Sequence, residues 1–393
     1  GILIRRNFVS DLNNPFKPNL RTGLYLKAMK DRAPIHGSFE LTPRCNLNCK
    51  MCYIRMSEKE MCSAGREWTA NQWIDFGKVC RDKGMLFLLL TGGEPFFRKD
   101  FKEIYTELNK MGFIITINSN GILITDEVVC WLKKCPPSKI RITLYGGSNE
   151  TYSRLCGDSH GFDKVTAAID RLLEAGIAVA LNASFTPYNV CDIEAIYDFA
   201  KKRKLKVKPM VYMFPPIRRF ESENKVLRFT EEEAGQALFR TKKAEMDSGV
   251  LYWFIKRMQQ GFRADEDDGC IVAEEENMGC IAGKCSFWIT WDGRMTPCGM
   301  MNQPVVNPKE KSFDECWDYI VKETDKIFLP KACTRCEHRN ACTVCGALAV
   351  AEGHGDSTVK PEYLCGITDE YLRQCQSFVS NIESLVKAEN EDE

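Results

Sequence analysis

No run of about twenty apolar residues occurs in the 393-residue chain, so no bilayer-spanning helix is expected. The opening stretch, Gly1 to Asn7, lacks the apolar core of a secretory signal, which argues against export. Net charge is absent as well. The 54 basic residues offset 54 acidic ones and leave no whole-chain field for nucleic acid or an anionic membrane. Histidine is scarce, and His36, His160, His338 and His354 share no metal-binding spacing. The expectation is a cytoplasmic protein with no nucleic-acid or membrane partner, long enough for two or more cores at ~100–200 residues per domain.

Cysteine is what the chain has in excess. There are twenty, and without an export signal they read as cluster ligands and buried thiols rather than disulfides. Cys45, Cys49 and Cys52 form a C-x3-C-x2-C run followed by Tyr53. A four-iron cube takes four thiolates, so a loop offering three leaves one iron open to an outside ligand. A structural zinc site is closed by four ligands, and no fourth Cys or His follows in the next few residues. Farther on come Cys280, Cys285, Cys298, Cys333, Cys336, Cys342, Cys345 and Cys365. Eight thiols suffice for two more four-ligand clusters, although C-x2-C pairs also build zinc ribbons. Asp292-Gly293 reads as a hairpin turn that brings Cys285 towards Cys298.

Between 39 and 216, short β-rich runs alternate with helical ones. Strands are expected at 38–42, 85–90, 113–119, 139–145, 178–185 and 206–213, and helices at 69–83, 100–111, 126–134, 162–175 and 193–203. The alternation predicts an α/β fold of parallel strands with right-handed crossovers. In barrels of such units, functional groups collect at the C-terminal ends of strands. Thr91-Gly92-Gly93-Glu94-Pro95 ends the second strand, Asn118-Ser119-Asn120-Gly121 the third, and Thr143 to Gly146 the fourth, with Arg154 just beyond. Glycine admits a close ligand, and an Arg fork suits a carboxylate. An Asn-Gly pair is equally an ordinary turn, and Arg154 equally a solvated helix residue. Asn182 and Ser184, like Met210 and Tyr212, alternate so that one set faces the barrel interior.

The C-x3-C-x2-C run, Tyr53 and the Gly92-Gly93-Glu94-Pro95 turn together resemble the radical S-adenosylmethionine (radical SAM) superfamily. The order of the later cysteines resembles the SPASM extension of that superfamily. The resemblance implies a partial (β/α)6 TIM-like barrel at 38–217, a helical bridge at 218–279 and a cysteine-rich SPASM domain at 280–375. A lead-in at 1–37 is read as irregular, and 376–393 as a C-terminal helix and acidic tail. S-adenosylmethionine (AdoMet) would be held by Tyr53, Gly92, Gly93, Glu94, Pro95, Ser119, Asn120, Thr143 and Arg154. Three 4Fe-4S clusters are implied: one on Cys45, Cys49 and Cys52, one on Cys280, Cys285, Cys298 and Cys345, and one on Cys333, Cys336, Cys342 and Cys365. The usual pattern places three residues between the last two cysteines of the central run, and here Thr343-Val344 supplies two.

The implied activity is reductive cleavage of AdoMet to a 5'-deoxyadenosyl radical that takes a hydrogen atom from substrate. The auxiliary clusters would then accept an electron as a thioether or C–C crosslink forms in a ribosomally made peptide. An anaerobic sulfatase-type maturase making formylglycine is the alternative, and a non-catalytic iron–sulfur carrier the alternative of another class. Expected partners are a peptide or protein substrate, an electron donor such as flavodoxin or ferredoxin, and a separate leader-peptide-binding protein, since 1–37 is too short to hold a leader-binding domain. Cys156, Cys270 and Tyr212 are the candidate catalytic groups.

Overall fold

A computed structural model describes residues 20–218, 227–261 and 277–391. Six parallel strands follow one another in space as in sequence: β1 (His36–Glu40), β2 (Phe87–Thr91), β3 (Ile114–Ser119), β4 (Lys139–Thr143), β5 (Val179–Ser184) and β6 (Val207–Met210). β7 (Ser286–Ile289) joins the other edge of β1, also parallel, and β8 (Met295–Thr296) returns antiparallel on β7. One open eight-stranded sheet results, ordered β6-β5-β4-β3-β2-β1-β7-β8. The cysteine-rich half therefore starts as an extension of the sheet itself.

Register decides which side chains share a face. Ser38 lies opposite Leu89 and Glu40 opposite Thr91, so one face carries His36, Ser38 and Glu40 together with Phe87, Leu89 and Thr91. The other face carries Phe39, Leu88, Leu90, Ile115, Ile117, Ile140 and Ile142, all at most 1% exposed. These pack under the crossover helices, each side chain contributing on the order of 1.5–3 kcal/mol by leaving water. The helices are amphipathic: Phe101–Lys110 buries Phe101, Ile104, Tyr105 and Leu108, and Gly161–Glu174 buries Val165, Ala168, Ile169 and Leu172. Ala70–Asp82 begins with a capping box in which Thr69 and Gln72 each satisfy the other's backbone N–H.

Three elements depart from the sequence reading. Leu20–Asp31 is a helix where an irregular lead-in was expected. It has no acidic residue in its first turn and buries only Tyr25 and Ala28, while Leu20, Leu24 and Leu26 stay exposed, so no apolar stripe marked it. Tyr25 stacks on Phe87 at 5.1 Å and bonds His36 at 3.1 Å, which places this helix across the N-terminal end of the sheet's concave face. Glu58–Ala64 is a short helix under its own capping box, from Ser57 and Glu60. The third departure is the terminal helix, which begins at Glu362, so Cys365 and Cys375 lie on it.

In the expected bridge, Glu231–Glu245 and Ser248–Gln259 pack on Glu362–Glu391 through Phe239, Leu251, Ile255, Tyr371, Cys375 and Val379. The helices approach so closely at Gly235 that a Cβ there would lie 2.8 Å from the Ile367 carbonyl oxygen. The acidic run at 265–268 and Cys270 lie outside the described residues. Among the described residues no helix is long and apolar enough to cross a membrane.

Candidate active site

The C-terminal ends of β1, β2 and β3 are tied together by backbone. Leaving β1, the chain crosses the end of β2, where Gly93 N–H donates to the Thr42 carbonyl at 2.6 Å and Glu94 N–H to the Arg44 carbonyl at 2.9 Å. Side chains do not fit there. A Cβ on Gly92 would sit 2.5 Å from the Thr42 oxygen, and one on Gly93 2.3 Å from the Arg44 oxygen. The paired glycines thus let the strand that delivers Cys45 lie directly against the turn.

Glu94 completes this joint. Its carboxylate accepts from Ser119 Oγ at 2.9 Å, Asn120 N–H at 2.7 Å and Phe96 N–H at 3.1 Å, fastening β2 to β3. Burial pushes this carboxyl up to about 7, against the pull of those three donors. Behind it Arg44 forks onto Glu67 at 2.9 and 2.7 Å, and buried Arg98 donates to the Leu41 and Trp68 carbonyls. Arg44, Glu67 and Arg98 carried no motif, and their partners lie too far along the chain for spacing to reveal them.

The cysteine loop is pinned on its far side. Asn48 and Lys50 N–H donate to the Cys156 and Leu155 carbonyls at 3.0 and 2.9 Å, anchoring the loop on the end of helix Asn149–Cys156. Donors point at the sulfurs themselves: Leu47 N–H and Asn120 Nδ2 lie 3.4 and 3.5 Å from Cys45 Sγ, and Arg55 N–H lies 3.2 Å from Cys52 Sγ. Burial, then the nearby Glu94 charge, pushes the Cys45 thiol up to about 12. Cys49 is pushed up first by contact with the Cys156 thiol and then by burial. Thiols in such a place stay protonated unless a metal's positive charge holds them as thiolates. N–H donors aimed at sulfur are among the features that set the potential of a bound iron–sulfur cluster.

A cavity of about 490 Å³ opens beside the loop and runs along the concave face of the sheet. Cys49, Cys52, Tyr53, Gly92, Gly93, Ser119, Asn120 and Thr143 line it, as do Asn182, Ser184, Met210 and Tyr212. Asn118 Oδ1 is buried there with no donor among the described residues, an acceptor suited to a ligand's ammonium or hydroxyl. Glu94 and Pro95 stand behind the lining; Glu94 reaches the cavity through Ser119 and Asn120. Arg154 is exposed, donates to the Tyr188 carbonyl at 2.5 Å and does not line the cavity. Cys156 is buried behind Cys49. Tyr212 donates to Glu352, whose Oε1 also lies 2.6 Å from Arg228.

The later cysteines fall into neighbourhoods. Cys333 lies near Cys336 and Cys342, and Cys365 near Cys333 and Cys342, close enough for each charge to be felt by the next. Cys298 feels Cys345 in the same way, and Cys280, Cys298 and Cys345 pack around Met278, Ala282, Met301 and Ala347. Cys285 is fully buried in another group, with Tyr25, Ala28 and Phe87. Among the described residues no three Cys, His, Asp or Glu side chains converge as ligands of a single metal ion must. A cube makes no such demand, because each thiolate binds its own iron.

An open α/β sheet with a three-thiol loop and a ligand-sized cavity at its strand ends defines a cofactor-dependent enzyme of the iron–sulfur kind. Residues 39–200 match the Radical SAM superfamily and form a radical SAM domain, and the protein is an enzyme. Such a domain uses AdoMet and a 4Fe-4S cluster.

The chain is 25% identical to an AdoMet-dependent heme synthase of Methanosarcina barkeri over 81% of its own length and 93% of that protein. It is 23% identical to the PqqA peptide cyclase of Rhizobium meliloti, covering 79% and 82%. Native anSMEcpe with bound AdoMet superposes with a TM-score of 0.65 at 16% identity, over 90% of this chain and all of that one. Streptococcus suis SuiB bound to its precursor peptide SuiA superposes with a TM-score of 0.55 at 19% identity, over 87% and 77%.

Proposed function

We propose that the protein modifies a peptide or protein by a radical route, with Cys45, Cys49 and Cys52 holding the cluster and AdoMet lying along the ends of β1 to β5. When bound, that pair supplies a carbon radical strong enough to remove a substrate hydrogen. The chain's own residues orient and enclose. The Gly92 and Gly93 backbone and Asn118 Oδ1 offer acceptors to the ligand's amino group, and Ser119, Asn120 and Thr143 offer polar contacts. Cys280, Cys285, Cys298 and Cys345, and separately Cys333, Cys336, Cys342 and Cys365, would hold auxiliary clusters that accept the electron released when a thioether or C–C bond closes.

The observation that carries the peptide reading is the reach of the cavity. It runs from Cys49 and Cys52 past the ends of β3 and β4 to Asn182, Ser184, Met210 and Tyr212, so polar and apolar side chains beyond the cofactor residues are left to face a substrate side chain. The relatives supply both readings: heme synthases stand beside a peptide cyclase. A solved neighbour holds a peptide. Formylglycine formation remains the alternative product on the same geometry. The test is to incubate anaerobically reconstituted protein with AdoMet, dithionite and either a panel of short Cys-containing peptides or the iron coproporphyrin named for one relative. Mass loss of two hydrogens from a peptide supports the proposal, and a mass change in the porphyrin with no change in any peptide overturns it.

A further inference from the structure

Glu40, at the end of β1, and Arg218, beyond β6, form an ion pair that neither the cavity nor the cysteine loops account for. Their side chains are 0% and 1% exposed and meet as a fork, with Nε to Oε1 at 3.0 Å and Nη2 to Oε2 at 3.1 Å. Burying two charges is costly, and well-packed apolar residues of similar volume often serve as well. The arrangement therefore invites a reason beyond stability.

Its connections supply one. Arg218 N–H donates at 3.2 Å to the carbonyl of Tyr53, the residue bonded to Cys52. At its other end, Arg218 Nη2 donates at 3.1 Å to the carbonyl of Gly299, the residue bonded to Cys298. Nη1 donates to Asn302 at 2.9 Å, and Asn302 returns a bond to the Ile217 carbonyl at 2.9 Å, which fixes the guanidinium in place. Trp288 Nε1 donates to Glu40 at 2.9 Å, locking the carboxylate from the β7 side. Cys52 and Cys298 are thus joined by one chain of covalent bonds and two hydrogen bonds that passes entirely through Arg218. Glu40 offsets the guanidinium charge and holds the fork in place.

We infer that Arg218 is the bonded bridge through which a single electron passes between the group held by the Cys52 loop and the group held by the Cys298 loop, with Glu40 as its positioning residue. The inference rests on the cluster reading proposed above. The step moves one electron: the donor group is oxidised by one, the acceptor reduced by one, and no bond or proton changes.

The test needs no substrate. Holoprotein is reduced with dithionite, desalted without air and mixed with AdoMet, and the paramagnetic signal of the auxiliary group is followed alongside release of methionine, which consumes one electron per molecule. In the parent protein the auxiliary signal should decay as methionine appears. In Glu40→Gln/Arg218→Met, which removes both charges together, the auxiliary signal should persist at least an order of magnitude longer at equal iron content. Arg218→Lys, whose one nitrogen cannot reproduce the fork onto Glu40 and the bond to the Gly299 carbonyl together, gives a second variant should the double one misfold, and should show the same slowing. Decay at the parent rate in either iron-replete variant overturns the inference. Absence of any auxiliary signal in the parent protein instead overturns the cluster reading on which it rests.

Discussion

At the scale of single residues, the site is governed by where side chains are forbidden or deeply buried. Gly93→Ala should cost well over ~1 kcal/mol, because its Cβ meets a backbone oxygen 2.3 Å away that is held by hydrogen bonds and cannot yield. Iron retained after anaerobic reconstitution should fall with it. Gly84→Ala, at a φ of +84° in open space, should cost only about 1 kcal/mol and leave iron unchanged. Thermal melting of the two variants separates a local packing clash from general glycine strain. Glu94 makes a pH prediction. Its carboxyl titrates at about 7 in the folded protein against 4.5 ordinarily, so the folded state holds a proton that the unfolded chain has lost. Its contribution is complete below about 4.5 and declines as pH rises through about 7, so melting of the parent protein should weaken across that window. Glu94→Gln should flatten this part of the profile. An unchanged slope would show that Glu94 is ionised throughout.

At the scale of elements, the crossover units were legible because each is a local pattern. The helix expected at 126–134 coincides with Asp126–Lys134, and the strands shift by no more than three residues at their ends. What could not be read is pairing between distant segments. β7 extends the sheet beside β1, with Phe39 opposite Ile289, about 250 residues further along the chain. Glu40 and Arg218 are likewise remote along the chain, and neither carries a motif. Tyr212 stood out only as one of an alternating pair, and nothing in the sequence linked it to Glu352 and Arg228. Leu20–Asp31 was missed for a different reason: it caps the sheet through Tyr25 and Ala28 alone, without a repeating apolar stripe. The ion pair gives the prediction at this scale. Arg218→Met should destabilise by ~3–5 kcal/mol because it leaves the Glu40 carboxylate buried and unpaired, whereas Glu40→Gln/Arg218→Met should recover much of that loss. Denaturant midpoints of the single and double variants measure the difference. A double variant as unstable as the single one would mean that shape, not charge, holds this joint.

At the scale of the whole molecule, a sheet shared by both halves places the three-thiol loop and the later cysteines on one continuous framework. Two of the later groupings were readable only through resemblance, since spacing does not say which thiols meet. The structure gathers Cys333, Cys336, Cys342 and Cys365 in one neighbourhood and Cys280, Cys298 and Cys345 in another, with Cys285 buried apart beside Tyr25. If each set holds a cube, reconstituted protein should carry about twelve irons per chain, four for each cube, and replacing Cys333 and Cys365 together should remove about four. Iron near four with bound zinc would assign the later cysteines to zinc. The most direct measurement is release of 5'-deoxyadenosine from AdoMet by dithionite-reduced protein, compared with a Cys45→Ala, Cys49→Ala, Cys52→Ala variant. The account predicts release by the parent protein and none by the variant; a parent protein replete in iron that releases none would contradict it.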